Sequence, residues 1–189
     1  MKEYLDVVDM NGNPTGETVL REKAHREGIW HRTSHVWLAR VRNGEYEILL
    51  QKRCLDKDSF PGCFDISSAG HIPAGVEYIP SALRELEEEL GIKADEKDLI
   101  CCGDRTIVFD DVFHGVPFHD RQYSRVFLMW NDMDEEEFIF QKEEIESLLW
   151  MDFDRCKKAV VNEDEGFCIY MEELDMIEKE IRKDDTWNI

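Results

Sequence analysis

The hydrophobic pattern of this chain changes period along its length, and the changes divide it into elements. Residues 4–8 read as a short strand, followed by a turn at Asn11-Gly12-Asn13-Pro14. A weak helical pattern covers residues 19–26. Residues 35–41 predict a strand, Asn43-Gly44 a hairpin turn, and residues 46–52 its return strand. Ser59-Phe60-Pro61-Gly62 reads as a further turn before the short apolar segment 63–66, and residues 70–75 read as loop.

At position 79 the period becomes helical. Ile79, Leu83, Leu86 and Leu90 form one stripe, and Gly91 ends the helix. Residues 99–109 and 123–130 predict strands, separated by a loop rich in His, Asp and Gly. Residues 148–151 form a short strand. Residues 154–161 and 170–182 read as helices, the second with a stripe of Met171, Leu174, Ile177 and Ile181. Hairpins early and helices late, with no repeat and no low-complexity linker, predict an α/β sandwich. A length of 189 residues favours one domain with a small helical appendage.

Charge narrows the partners. The net charge is −20, from 23 basic and 43 acidic residues, which argues against a nucleic-acid polymer. A small anionic substrate stays open, because a bound metal reverses the local field. No apolar run approaches the ~18 residues of a membrane span, and the N-terminus is too acidic for a signal peptide. The six cysteines, Cys54, Cys63, Cys101, Cys102, Cys156 and Cys168, contain no C-x-x-C pair and read as reduced thiols in a cytoplasmic protein. The oligomeric state is open, a homodimer included.

The helix at 79–90 carries the candidate chemistry. Glu85, Glu88 and Glu89 lie opposite the apolar stripe, at i, i+3 and i+4. Each like-charged pair there costs ~0.2–0.5 kcal/mol on a free helix. A hard divalent cation converts that repulsion into binding, since Mg²⁺ takes oxygen ligands. The competing reading is a solvated acidic face; Asp134-Glu135-Glu136-Glu137 is a similar run, and no function is assigned to it. Context separates the two. Arg84 stands four residues before Glu88, placed to orient its carboxylate, with a glycine loop before the helix and a glycine stop after it.

Gly70 followed by Arg84-Glu85-Leu86-Glu87-Glu88-Glu89-Leu90-Gly91-Ile92 resembles the Nudix box, G-x5-E-x7-R-E-U-x-E-E-x-G-U, with U aliphatic. One fixed position departs: the pattern puts Glu at 76, and this chain has Val76, with Glu77 next. In the family that glutamate is credited with holding the loop–helix–loop together, so the departure bears on loop geometry. The resemblance implies a Nudix-type α/β/α sandwich with a mixed sheet. One domain would span residues 1–189, with its motifs at roughly 4–151 and a helical extension at 152–189. It implies Mg²⁺ as cofactor, with Mn²⁺ as the alternative, held by Glu85, Glu88, Glu89 and Gly70. Glu88 and Glu89 would be catalytic, and Arg84 would orient the carboxylates. Glu144 is the external candidate for general base, against an ordinary surface carboxylate beside Glu143 and Glu146. The expected substrate is a small molecule: a nucleoside diphosphate linked to another group, or a related organic diphosphate.

Leu49-Leu50-Gln51-Lys52-Arg53, Lys57, Phe60-Pro61-Gly62 and Gly70-His71 resemble the Nudix branch that includes type I isopentenyl diphosphate isomerase, and His25, Trp30 and His31 echo it. In those isomerases two early histidines, the one matching His71 and two glutamates bind one metal. The glutamate positions here are Asp120 and Gln122, and the catalytic cysteine's place is Ala69. That contrast favours hydrolysis over isomerisation. His25, His31 and His71 stand between capping roles and a second metal or substrate role. Arg53 and Lys57 stand between surface cations and a diphosphate clamp. A non-catalytic nucleotide-binding module is the remaining rival, and the intact glutamate triad speaks against it.

Overall fold

The computed structural model describes residues 2–57 and 59–183. The chain runs β1 (Tyr4–Val8), β2 (Pro14–Leu20), α1 (Arg21–Glu27), β3 (His31–Arg42), β4 (Glu45–Arg53), β5 (Phe64–Asp65) and β6 (Ser68–His71). It continues through α2 (Tyr78–Leu90), β7 (Ile100–Phe113), β8 (Val116–Trp130), β9 (Ile145–Asp152), α3 (Phe153–Val161) and α4 (Met171–Ile181).

β3 is the central strand. It pairs antiparallel with β6 along its first half and with β4 along its second, and parallel with β8. β7 extends the sheet beyond β8, and β9 extends it beyond β4. β1 joins through Val7 opposite His31 and carries β2. Because side chains alternate across a strand, β3 feeds two cores. Val36 and Leu38, with Leu49, Phe127 and Met129, meet α2 at Ala82, Leu86 and Leu90. Trp37 and Ala39, with Ile48, Leu50, Val126 and Leu128, meet α3 and α4 at Phe153, Leu174, Ile177 and Ile181. The result is an α/β/α sandwich with a mixed sheet: the α/β sandwich that the pattern predicts, in the layers that the Nudix resemblance implies.

Four elements differ from the sequence reading. β2 replaces part of the weak helical pattern, because its first five residues are exposed and carry no apolar signature. β3 starts at His31 rather than at 35: its first five residues are polar, yet buried. Residues 68–71 are a strand that overlaps the start of the stretch read as loop (70–75); their register against Thr33–Val36 defines them, since Ser68, Gly70 and His71 give no apolar signal. The stretch between 109 and 123 is a hairpin, not a loop. β7 and β8 pair to Phe113 and Val116, and only His114 and Gly115 form the turn, both with positive φ (52° and 78°).

In α2 the buried residues are Tyr78, Ser81, Ala82, Leu86 and Leu90, so Ile79 and Leu83 lie at the edge of the stripe. The acidic run at 134–137 is spent on structure. Asp134 pairs with Arg40 and Arg42, the Glu137 carboxylate accepts from the Asp134 N–H (2.8 Å), and Glu135 accepts from the Trp150 N–H (3.1 Å).

Gly91 ends α2 in the left-handed region (φ 71°), and a Cβ there would stand 2.8 Å from the Ile139 carbonyl oxygen. Gly44 is also left-handed (φ 85°), but with nothing within 4 Å. Gly91→Ala is expected to lose ~1–2 kcal/mol for the backbone conformation alone, and more for the clash. Gly44→Ala should lose only the first part. Urea unfolding of both variants checks this; equal losses would remove the Ile139 contact from the account.

Candidate functional site

Two clusters of ligating groups flank the edge strand β6, one on each side, because its consecutive residues face opposite ways. The first lies where α2 packs under β6. A Cβ on Gly70 would fall 2.1 Å from the Glu85 carboxylate, so only glycine lets that carboxylate lie on the strand backbone. Arg84 forks between two glutamates, with Nη2 donating to Glu85 (2.5 Å) and Nη1 to Glu88 (2.7 Å). Burial raises the Glu85 carboxyl above its ordinary range, against the pull of Arg84. Glu88 is the most exposed of the three glutamates.

Glu89 departs from the solvated face that the helical pattern suggests. Burial pushes its carboxyl up to about 7, opposed by the Ser68 hydroxyl and the Ala69 N–H. Its Oε2 is buried with no hydrogen-bond partner among the described residues. An unpartnered carboxylate oxygen, a glycine cradle and an all-oxygen donor set fit a hard divalent cation such as Mg²⁺.

Val76 leaves the loop before α2 without the box glutamate, and Glu77, the N-cap of α2, is exposed. Asp6 and Arg32 hold the loop instead. Arg32 Nη2 donates to Asp6 (2.8 Å) and to the Val76 carbonyl (2.8 Å), and Asp6 accepts from the Gly75 N–H (2.8 Å). No spacing rule points to this replacement, because Asp6 and Gly75 are 69 positions apart.

Lys57 pairs with Glu144, whose carbonyl accepts from the Cys54 N–H (3.1 Å). Burial and the Arg53 charge depress the Lys57 ammonium, while Glu89 acts in the opposite sense. Lys57, paired with Glu144, stands within electrostatic reach of Glu89. Arg53 is turned elsewhere: Nε and Nη2 donate to the Ser59 carbonyl (3.1 and 3.0 Å), and Nη1 donates to Asp65 (3.0 Å).

On the other side of β6, His25 from α1, His31 from β3 and His71 from β6 bring their ligand atoms within 4.8 Å of one another. His31 Nδ1 lies 2.8 Å from the Ile29 carbonyl, which makes it the donor and leaves Nε2 with a lone pair. That Nε2 and Asp120 Oδ1 are buried and unpartnered among the described residues. Asp120 Oδ1 is 3.7 Å from both His25 Nε2 and His31 Nε2, and His25 and His71 approach Nε2 to Nε2 at 3.1 Å. Burial holds all three imidazoles neutral: His25 falls to about 3, His31 to about 4, and His71 lies well below its ordinary range. Burial also lifts Asp120 to about 6. Neutral imidazoles beside one carboxylate suit a borderline divalent transition metal.

Phe118 lies against His25 (centroids 4.7 Å apart), and Phe113, Phe109 and Phe60 continue an aromatic wall. Sequence spacing does not bring these four groups together, because they come from four elements, α1, β3, β6 and β8.

Comparison with known proteins gives a family. The model of the NUDIX domain matches residues 31–168. Nudix hydrolase 3 of Arabidopsis thaliana is 36% identical over 89% of this chain, which spans only 22% of that protein. An uncharacterized Nudix hydrolase of Clostridium acetobutylicum is 33% identical over 87% of this chain and 77% of its own length. The crystal structure of DR0079 from Deinococcus radiodurans superposes with a TM-score of 0.67 at 19% identity, covering 92% of this chain and 98% of that one, a likeness of fold.

In metal-free protein the Glu89 side-chain carboxyl should titrate with a midpoint near 7, against ~4.3 for an ordinary glutamate. Carbon-detected NMR over pH 3–9 reads it directly, and adding Mg²⁺ should move the midpoint down. A midpoint at the ordinary value would return Glu89 to the solvated face.

Proposed function

The chain belongs to the Nudix family and is a hydrolase, and from that premise we propose that it cleaves the phosphoanhydride bond of a nucleoside diphosphate linked to another group, or of a related organic diphosphate. The observation that carries this reading is the buried, unpartnered Oε2 of Glu89, beside a glycine that leaves room for the Glu85 carboxylate. Glu85, Glu88, Glu89 and the Gly70 carbonyl would hold Mg²⁺ or Mn²⁺. Bound there, the ion neutralises phosphoryl oxygens and acidifies a water.

The chain's own groups do the rest. Arg84 holds Glu85 and Glu88 side by side despite their repulsion. Lys57 turns from Glu144 to a phosphate oxygen of the substrate, supplying a local positive charge in a chain of net charge −20. Glu144, released from that pair, accepts a proton from water as general base. Arg53 braces the loop that carries Lys57 through Ser59 and Asp65. The six free cysteines support a reducing, cytoplasmic setting.

His25, His31, His71 and Asp120 would hold a second divalent ion. This cluster supports the finer resemblance to the isomerase-containing branch, but it does not extend to the isomerase's activity. Proton addition and removal at carbon need two titratable groups. Ala69 has none, and the Gln122 amide does not titrate at neutral pH. Cys63 precedes β5, which pairs with β4 rather than with β3.

Glu88→Gln and Glu89→Gln are each expected to lower turnover by ~10² or more, since even loss of a group behind a ligand costs 10–100-fold. Far-UV circular dichroism should stay unchanged. Phosphate release from nucleotide sugars, dinucleotides and nucleoside di- and triphosphates, with Mg²⁺ or Mn²⁺, checks this and identifies the leaving group. Wild-type turnover in both variants would sink the metal assignment.

Incubated with isopentenyl diphosphate in deuterated water, the protein should incorporate no deuterium above the no-enzyme control. Uptake that disappears in Cys63→Ala, read by mass spectrometry, would move the chain into the isomerase class.

A further inference from the structure

We propose that Glu173 of α4 and His35 of β3 are positioning residues for the histidine centre, acting through a one-way chain of hydrogen bonds that ends on Asp120. This rests on the reading of His25, His31, His71 and Asp120 as a metal centre.

Strand register sets the residues in rows. On β3, His31, Thr33 and His35 share one face. Gln122 stands beside His31, and Ser124 beside Thr33, in the parallel pairing with β8. His71 is opposite Thr33, Ala69 is opposite His35, and Arg105 is opposite Ser124. α4 covers the far end of this face and lowers Glu173, 1% exposed, onto it. Glu173 accepts from His35 Nδ1 (2.8 Å), Trp37 Nε1 (2.9 Å) and Arg105 Nη1 (3.0 Å).

Proton counting gives the chain its direction. Gln122 Nε2 donates to Asp120 Oδ2 (2.7 Å), so its Oε1 is the end that faces Thr33. The Thr33 hydroxyl, with one proton, donates it to that Oε1 (3.2 Å). Two neighbours then approach Thr33 Oγ1 as donors: the Ser124 hydroxyl (2.7 Å) and His35 Nε2, the longest link at 3.4 Å. In the proposed chain His35 donates from both nitrogens, to Glu173 and to Thr33, which is the imidazolium form. The Glu173 carboxylate beside it favours that form against burial. From His35 onward, the links through Thr33 and Gln122 all point toward Asp120. With Oδ2 taken, Asp120 presents Oδ1 to His25 and His31, 3.7 Å from each. The chain also accounts for the amide at 122: a glutamate there could not donate to Asp120 while accepting from Thr33.

Groups behind a metal ligand set its orientation, and losing one costs 10–100-fold in affinity. The test uses the full chain loaded with Co²⁺, whose visible absorption reports ligand geometry. The reference is the part of the spectrum lost in His71→Ala. Thr33→Val removes the middle link while nearly keeping volume and charge, and Glu173→Gln removes its origin. Both should weaken Co²⁺ binding at this centre by about 10-fold or more and shift its band. Leu174→Ala, a core truncation on the same helix, should lower Tm and leave the band in place.

Because Glu173→Gln strands two buried cations and can fail to fold, Thr33→Val decides the matter. An unchanged band and affinity in Thr33→Val would overturn the inference alone. A band that moves equally in Leu174→Ala would also overturn it, assigning the effect to loosened packing. A wild-type spectrum with no His71-dependent band would overturn the reading of the centre, and the inference with it.

Discussion

A strand buried on both faces has to satisfy every polar side chain it carries, and β3 opens with five in a row, His31, Arg32, Thr33, Ser34 and His35, all buried. The rest of the site is arranged around that demand. Alternation sends Arg32 toward α2, where it holds the loop through Asp6 and the Val76 carbonyl. It sends His31, Thr33 and His35 toward α4, where their partners are the Ile29 carbonyl, Ser124 and Gln122, and Glu173. Two atoms in this region, His31 Nε2 and Asp120 Oδ1, are left over together. Both are acceptors with no donor between them, and lone pairs buried side by side are what a cation would satisfy. Ser34 Oγ is also unpartnered among the described residues, and nothing in the structure explains it.

The same demand decides what could be read from the sequence. The second half of β3 is apolar and was legible from position 35, and so was α2, whose stripe at Leu86 and Leu90 keeps a 3.6-residue period. The first half of β3 was not, because burial of polar residues leaves no hydrophobic signature. β6 was missed for the same reason: it is a strand by pairing, not by composition. The box residues were legible because one helix displays them at fixed spacing. What spacing could not supply was depth. Glu85, Glu88 and Glu89 look equivalent on a helical wheel, but β6 lies over Glu85 and Glu89 and leaves Glu88 to solvent. The histidine cluster needs three strands in register and the helix α1 packed beside them, so its residues could be singled out but not brought together.

β6 makes the two centres neighbours while keeping them distinct. Gly70 contributes an absence, the missing Cβ that admits Glu85. His71, the next residue, contributes an imidazole to the opposite side. The donor sets differ in kind: carboxylates and a carbonyl on one side, imidazoles with a single carboxylate on the other. Hard ions prefer the first and borderline ions the second, so on the proposed reading one short strand would separate two kinds of cation site. The chain's large negative charge matters less here than its placement. Asp134, Glu135 and Glu137 near the surface are paired or capping, whereas among the described residues Glu89 and Asp120 each bury a carboxylate oxygen without a partner.

This division also bears on where the reaction's protons move. At the histidine centre, burial holds three imidazoles neutral, and Gln122 spends its amide protons on orientation. A group that transfers a proton must hold it loosely enough to release it. His35 does not meet that condition: its protons face Glu173 on one side and Thr33 on the other, deep under α4. The groups still able to exchange protons with solvent stand on the other side of β6, around Glu89, Lys57 and Glu144. Hydrolysis therefore belongs, on the proposed reading, to the carboxylate centre. On the same reading the histidine centre would bind and orient, its three imidazoles held neutral by burial.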